Sequence, residues 1–155
     1  MENKTQSSVP PTRYSSMSDA CLFVAGEIYT GGYSLFGTDV TLFENDVVSQ
    51  KFICCLNGFF YFRLDYGKVY SIKVSKNDFE TKTIVIDTNI ENSVRRNKRY
   101  EFGVMLTKNE YTQNVNLSVE PSAIIRYSSK TNEFEHDAEY AKLRKQMAMN
   151  ANKAA

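Results

Sequence analysis

The chain has 155 residues, with 19 Lys and Arg against 18 Asp and Glu, for a formal net charge of +1. A charge so near zero supplies no general field for holding nucleic acid or an anionic membrane. Hydrophobic residues make up 42%, which argues against a disordered chain, and the length suits one domain with extensions.

Residues 1–19 are polar and rich in Ser, Thr and Pro. Pro10-Pro11 stops regular structure, so this stretch reads as a flexible arm. From residue 20 to about 106 the pattern changes to short alternating runs bounded by turn residues, the signature of an all-β sandwich. Leu22, Val24, Gly26 and Ile28 share one face of a first strand, which Gly31-Gly32 breaks. Val40 and Leu42 mark a second strand, Glu44-Asn45-Asp46 a polar turn, and residues 47–55 a third strand. Asn57-Gly58 is a tight-turn signal, because both residues tolerate positive φ. In the fourth strand Phe60, Phe62 and Leu64 share one face, and Phe59, Tyr61 and Arg63 share the other. Tyr70, Ile72 and Val74 define a fifth strand, Ile84 and Ile86 a sixth. A polar link containing Arg95, Arg96, Lys98 and Arg99 precedes a seventh strand with Tyr100, Phe102, Val104 and Leu106.

Residues 107–136 read as an extension with one or two edge strands. Val115, Leu117 and Val119 alternate, and residues 123–127 form a strand beyond Pro121, which an edge position tolerates. Residues 137–155 read as a C-terminal helix and frayed tail. Asp137 is its N-cap, and Tyr140, Leu143 and Met147 form a narrow apolar stripe. The expectation is a seven-stranded β-sandwich over residues 20–106, with a flexible N-terminal arm and a short C-terminal α-helix.

Several of these strands resemble one family. Val24-Ala25-Gly26-Glu27-Ile28 is similar to the opening strand of carboxypeptidase regulatory-like domains, also called transthyretin-like or prealbumin-like sandwiches. Residues 35–42 look like their second strand, with Thr38 in place of the usual Val. Asn57-Gly58-Phe59-Phe60-Tyr61-Phe62 resembles their Gly-x-Phe-x-Phe hairpin, preceded here by Cys54-Cys55 instead of the common Thr-Asp. The strongest stretch is Gly67-Lys68-Val69-Tyr70-Ser71-Ile72-Lys73-Val74-Ser75-Lys76. It is similar to the family's Gly-x-x-Tyr-x-Ile-x-x-Ser-Lys, and Asp78-Phe79 replaces the Gly-Tyr that follows. The match covers residues 22–87. Pro121 to Tyr127, then Phe134-Glu135-His136-Asp137 and Tyr140, resemble the C-terminal extension of a subgroup found in Bacteroidetes envelope proteins. The resemblance implies a prealbumin-like sandwich, a non-catalytic role, and a place in the cell envelope. If Met1 is the native start, the chain has no secretory signal and the cytoplasm is the default expectation; if a leader is missing and the resemblance holds, the periplasm or cell envelope is.

Chemistry is sparse. His136 is the only histidine. It lies far in sequence from any Gly-flanked Ser or activated Cys, and no His-x-x-Glu zinc pair exists. Cys21, Cys54 and Cys55 make an odd count, a poor disulfide framework, and no second Cys or His stands at zinc-ligand spacing. No phosphate-cradling Gly loop and no calcium loop is present. Catalytic residues, metal and cofactor are therefore expected to be none. Asp39, Glu44, Asp46, Asp65 and Asp87 can gather an acidic pair at one end of a sandwich, the basis of a weaker hydrolase reading. Arg95, Arg96 and Lys98 are candidates for an anionic contact, although so short a run is more often a solvated loop.

The useful anomaly is Phe59 and Tyr61, which face away from the core with Arg63. Aromatics on an outward sheet face mark a partner surface unless another element covers them. The C-terminal stripe Tyr140, Leu143 and Met147 is the expected cover. Two binding readings follow: a protein partner at Phe59, Tyr61 and Arg63, or a carbohydrate or envelope polymer stacked on the aromatics. The absence of Trp disfavours the second. Neither needs nucleic acid or a transmembrane segment.

Overall fold

Alternating apolar runs fold as strands where turn residues bound them, and two such sheets bury their apolar faces against each other. The structure, a computed structural model, describes residues 20–53, 57–111 and 121–153. The arm at 1–19, the alternation at 115–119 and Cys54-Cys55 lie outside the described residues.

Among the described residues nine strands and one α-helix follow in order: β1 (Cys21–Tyr29), β2 (Asp39–Glu44), β3 (Val47–Ile53), β4 (Phe59–Asp65), β5 (Val69–Ser75), β6 (Lys82–Asp87), β7 (Lys98–Met105), β8 (Ala123–Ser128), β9 (Glu133–His136) and α1 (Ala138–Lys153). A three-stranded sheet has the order β4-β1-β7, and a six-stranded sheet the order β3-β2-β5-β6-β8-β9. The all-β sandwich with a C-terminal helix is the observed architecture. The expected seven strands are β1–β7. β8 and β9 extend the larger sheet, with β8 parallel to β6 and antiparallel to β9. β8 therefore lies inside the sheet, and β9 takes the edge that the sequence suggested for residues 123–127.

The core sits between the sheets. Leu22, Val24, Phe60, Phe62 and Leu64 face Val40, Leu42, Ile72, Val74 and Ile86, all buried. Each large side chain contributes about 1.5–3 kcal/mol on burial, before chain entropy is charged. Gly26 has a specific packing role. A Cβ there would lie 2.0 Å from the Phe60 ring, so the absence of a side chain in β1 makes room for an aromatic of β4. Phe60 in turn meets Phe102 edge-on at 5.8 Å.

The turns divide into two kinds. Asn45 and Asp46 both hold positive φ, 48° and 66°, and close a tight hairpin between β2 and β3. Asn57-Gly58 does something else. β3 and β4 belong to different sheets, so these residues lie on a crossing between layers and not in a hairpin. Gly58, at φ 71°, accepts a hydrogen bond from the Ile28 N–H at 3.0 Å.

The extension is tied in by aromatics. Phe134 of β9 is buried, stacks on Tyr66 at 6.3 Å and meets Tyr127 at 5.8 Å. Asp137 caps α1, accepting the Tyr140 N–H at 3.0 Å. The helix does not dock on its predicted stripe. Tyr140, Arg144 and Ala148 are its half-buried side, while Leu143 is 52% and Met147 38% exposed. The Tyr140 hydroxyl donates to Pro121 O, and Arg144 Nη1 donates to Ser122 O at 3.0 Å. Polar contacts to the lead-in of β8 therefore dock the helix. No helix among the described residues is long and apolar enough to cross a membrane.

Candidate interaction face

Inward residues of β1, β4 and β7 fill the core, so their neighbours in sequence must face outward. The register places these outward residues in rows. Arg63, Phe23 and Arg99 form one row, Tyr61, Ala25 and Glu101 the next, then Phe59, Glu27 and Gly103, and finally Tyr29 with Met105. Phe23, Tyr29, Phe59, Tyr61 and Met105 are all exposed, Tyr61 at 64%. Ala25 and Gly103 are small, so Tyr29, Phe59 and Tyr61 stand around a shallow trough of about 330 Å³.

The two cations of this face pair with carboxylates along their own strands. Arg63 Nη1 lies 2.9 Å from Asp65 Oδ1, and Arg99 pairs with Glu101. The Tyr29 hydroxyl donates to Glu27, which holds the phenol above its ordinary pKa, with burial and the Glu27 charge adding to the same direction. Exposed pairs of this kind contribute little to stability. Their effect is to neutralise both arginines, which leaves an aromatic centre with a polar rim in which Glu27 is held by the Tyr29 hydroxyl.

Phe59, Tyr61 and Arg63 thus stand together on the outer face of β4. The expected cover is not there. α1 packs beside β8 of the other sheet, and Phe59 and Tyr61 remain 43% and 64% exposed. Phe23, Tyr29 and Met105 belong to the same face but were not singled out from sequence. Their signal was available: Phe23 and Tyr29 alternate with Leu22 and Ile28, and Met105 lies between Val104 and Leu106.

The basic run is used internally. The Arg95 guanidinium lies over the Tyr66 ring at 6.0 Å, and Arg95 Nε donates to Ile90 O at 3.3 Å. Lys98 Nζ donates to Asn132 O at 2.6 Å and lies over the Tyr127 ring at 5.7 Å. Arg96 points outward, and its carbonyl accepts the Tyr66 hydroxyl at 2.6 Å. Two of the three candidate anion contacts therefore commit their cations within the fold.

Of the scattered acids, Glu44 and Asp65 come together, but Lys68 stands between them, 2.6 Å from Glu44 and 3.7 Å from Asp65. The hydrogen bond to Glu44 is the largest influence holding the Lys68 ammonium above its ordinary pKa. This is an ion network at a turn. Among the described residues no group of three or more His, Cys, Asp and Glu gathers to hold a metal. His136 is exposed and sits edge-on to Tyr100 at 6.1 Å. Cys21 is a buried free thiol on β1.

No family model matches the chain, and no curated protein matches it. Solved structures do. The crystal structure of S.CueP is 14% identical, with a TM-score of 0.38 over 58% of this chain and 64% of that one. 3-Chlorocatechol 1,2-dioxygenase from Rhodococcus opacus 1CP is 12% identical, with a TM-score of 0.42 over 59% of this chain and 60% of that one. The group B streptococcus pilus 2b backbone protein is 13% identical, with a TM-score of 0.38 over 61% of this chain and 43% of that one. In each case the chain spans less than two thirds of the structure it matches.

Proposed function

We propose that this protein is a non-catalytic interaction module that binds a protein partner on the outer face of its three-stranded sheet. One observation carries the reading. Five large apolar side chains, Phe23, Tyr29, Phe59, Tyr61 and Met105, stand exposed on one face. Leaving such a face in water forgoes about 25 cal/mol for each Å² of apolar surface that a partner would bury. Aromatics and Met are the residues enriched at protein interfaces, and the charged side chains around them supply a polar border. The prediction is a specific partner recovered from native extract by the wild-type chain and lost with Tyr61→Ser. Recovery of no specific partner counts against it.

The resemblance of residues 67–76 to carboxypeptidase regulatory-like domains supports the same non-catalytic reading and extends it to a Bacteroidetes envelope assembly. A second reading rests on the trough itself. Tyr29, Phe59 and Tyr61 beside the carboxylates of Glu27 and Glu101 offer stacking surfaces and acceptors to a sugar ring. Glycan-array binding lost on Tyr61→Ala supports it, and a blank array removes it.

A further inference from the structure

A second gap lies on the opposite side of β7, where the edge of that strand, unpaired among the described residues, faces β6, β8, β9 and α1. It encloses about 220 Å³ and is lined by Lys82, His136 and Arg144, with no Asp or Glu among its lining residues. The Lys82 ammonium is already matched by Glu80 at 3.1 Å. Arg144 has no carboxylate partner among the described residues. Its Nη1 donates to Ser122 O at 3.0 Å, while its Nε is buried without an acceptor. A guanidinium without a carboxylate partner, at a gap with no acid in its lining, offers a charge-assisted contact to an anion placed there.

The backbone of β7 adds a second requirement. β7 is an edge strand of its sheet. Leu106 N–H donates to Tyr29 O at 2.8 Å, so Leu106 and Val104 aim their backbone groups at β1. Alternate residues aim the other way, which turns the N–H and C=O of Gly103 and Met105 toward the gap. One step further along this edge, Thr107 O accepts the Glu80 N–H at 2.8 Å. Pairing on this side of the strand is therefore feasible, and Gly103 and Met105 lack it among the described residues. Ile84 and Ala123 supply apolar wall opposite them.

We propose that this gap binds a carboxylate carried on an extended peptide, with the carboxylate on Arg144 and the peptide backbone along the Gly103–Met105 edge of β7. A free peptide C-terminus and a Glu or Asp side chain offer the same chemistry. This site is separate from the aromatic face and goes beyond the partner reading proposed for it.

The probe is a fluorescein-labelled Ser-Thr-Val-Thr-Val pentapeptide, followed by fluorescence anisotropy against the full chain. The free acid should bind saturably below about 1 mM. The C-terminal amide should bind at least about tenfold more weakly, because it removes a charge-assisted hydrogen bond. The amide of Ser-Thr-Val-Glu-Val separates the two carboxylate sources: binding as tight as the free acid assigns the site to an acidic side chain. Arg144→Gln should weaken the acid by about tenfold while circular dichroism shows an unchanged fold. Peptide N-methylation, which needs no protein variant, should also weaken binding. The Gly103 and Met105 amide resonances should shift on titration. Tyr61→Ser should leave peptide affinity unchanged, which keeps this test apart from that of the aromatic face. Equal binding of Ser-Thr-Val-Thr-Val as free acid and as amide, no saturable binding by either acidic probe, or shifts confined to other strands would overturn the proposal.

Discussion

The two sheets of the sandwich turn different surfaces outward. On the three-stranded sheet the outer rows hold Phe23, Tyr29, Phe59, Tyr61 and Met105, all exposed. On the six-stranded sheet the register aligns Lys51, Thr41, Lys73 and Thr83 in one row and Asp39 with Ser75 in another. Its more apolar row runs Val48, Phe43, Ser71, Val85 and Ile124; Val48 on the edge strand is exposed and the other four are half-buried, and none of its exposed apolar residues is aromatic. Both sheets close the same core, so core packing cannot explain the difference. A sheet that needs only water on its outer side is served by Lys, Thr and Ser. Aromatics there are a cost in solubility, which a binding role would offset.

The sharpest way to break this contrast is within β1, where Gly26 faces in and Ala25 faces out. Gly26→Ala should destabilise the fold by about 3 kcal/mol, because the Phe60 ring has no room to give. Chemical denaturation reads this directly, and a loss under 1 kcal/mol would contradict the packing described for β1. Ala25→Phe should leave stability within about 1 kcal/mol and abolish partner binding by filling the trough.

Tyr66 tests the seam between the sandwich and its extension. Burial is the main influence pushing its phenol up to about 12 from an ordinary 10.0. The folded value exceeds the unfolded one, so the contribution is complete below pH 10 and is lost as pH rises from 10 to 12. Tyr66→Phe should cost about 1 kcal/mol at neutral pH, from the lost hydrogen bond to Arg96 O. It should also flatten the alkaline decline, although Tyr70 and Tyr100, raised chiefly by burial, leave some slope. An unchanged pH profile would count against a buried phenol.

The smallest effect belongs to α1. Leu143→Ser with Met147→Ser should change stability by no more than about 0.5 kcal/mol, because both side chains are exposed. A clear fall in melting temperature would show that the helix covers apolar surface after all, and the contrast between the two sheets would weaken.

The strands were legible because apolar alternation directly reports which side of a sheet is buried. Leu22, Val24 and Ile28, or Tyr70, Ile72 and Val74, need no tertiary information to be read. Sheet membership was not legible. Asn57-Gly58 has hairpin chemistry, yet the strands around it belong to opposite layers, which only long-range pairing decides. The helix stripe misled for a related reason. Tyr140, Leu143 and Met147 have the spacing of an apolar face, but the hydrogen bonds of Tyr140 and Arg144 set the rotation of α1. Phe59, Tyr61 and Arg63 were legible as outward residues of one strand. The rest of their face comes from β1 and β7, whose register against β4 is a tertiary fact.

Photo-crosslinking from the two outer faces tests the central claim most directly. Benzoylphenylalanine replaces Tyr61 on one face or Lys73 on the other, and native extract is irradiated with each variant. The interaction-face account predicts one specific protein adduct from position 61 and none from position 73. The same adducts from both positions, or none from position 61, would contradict it.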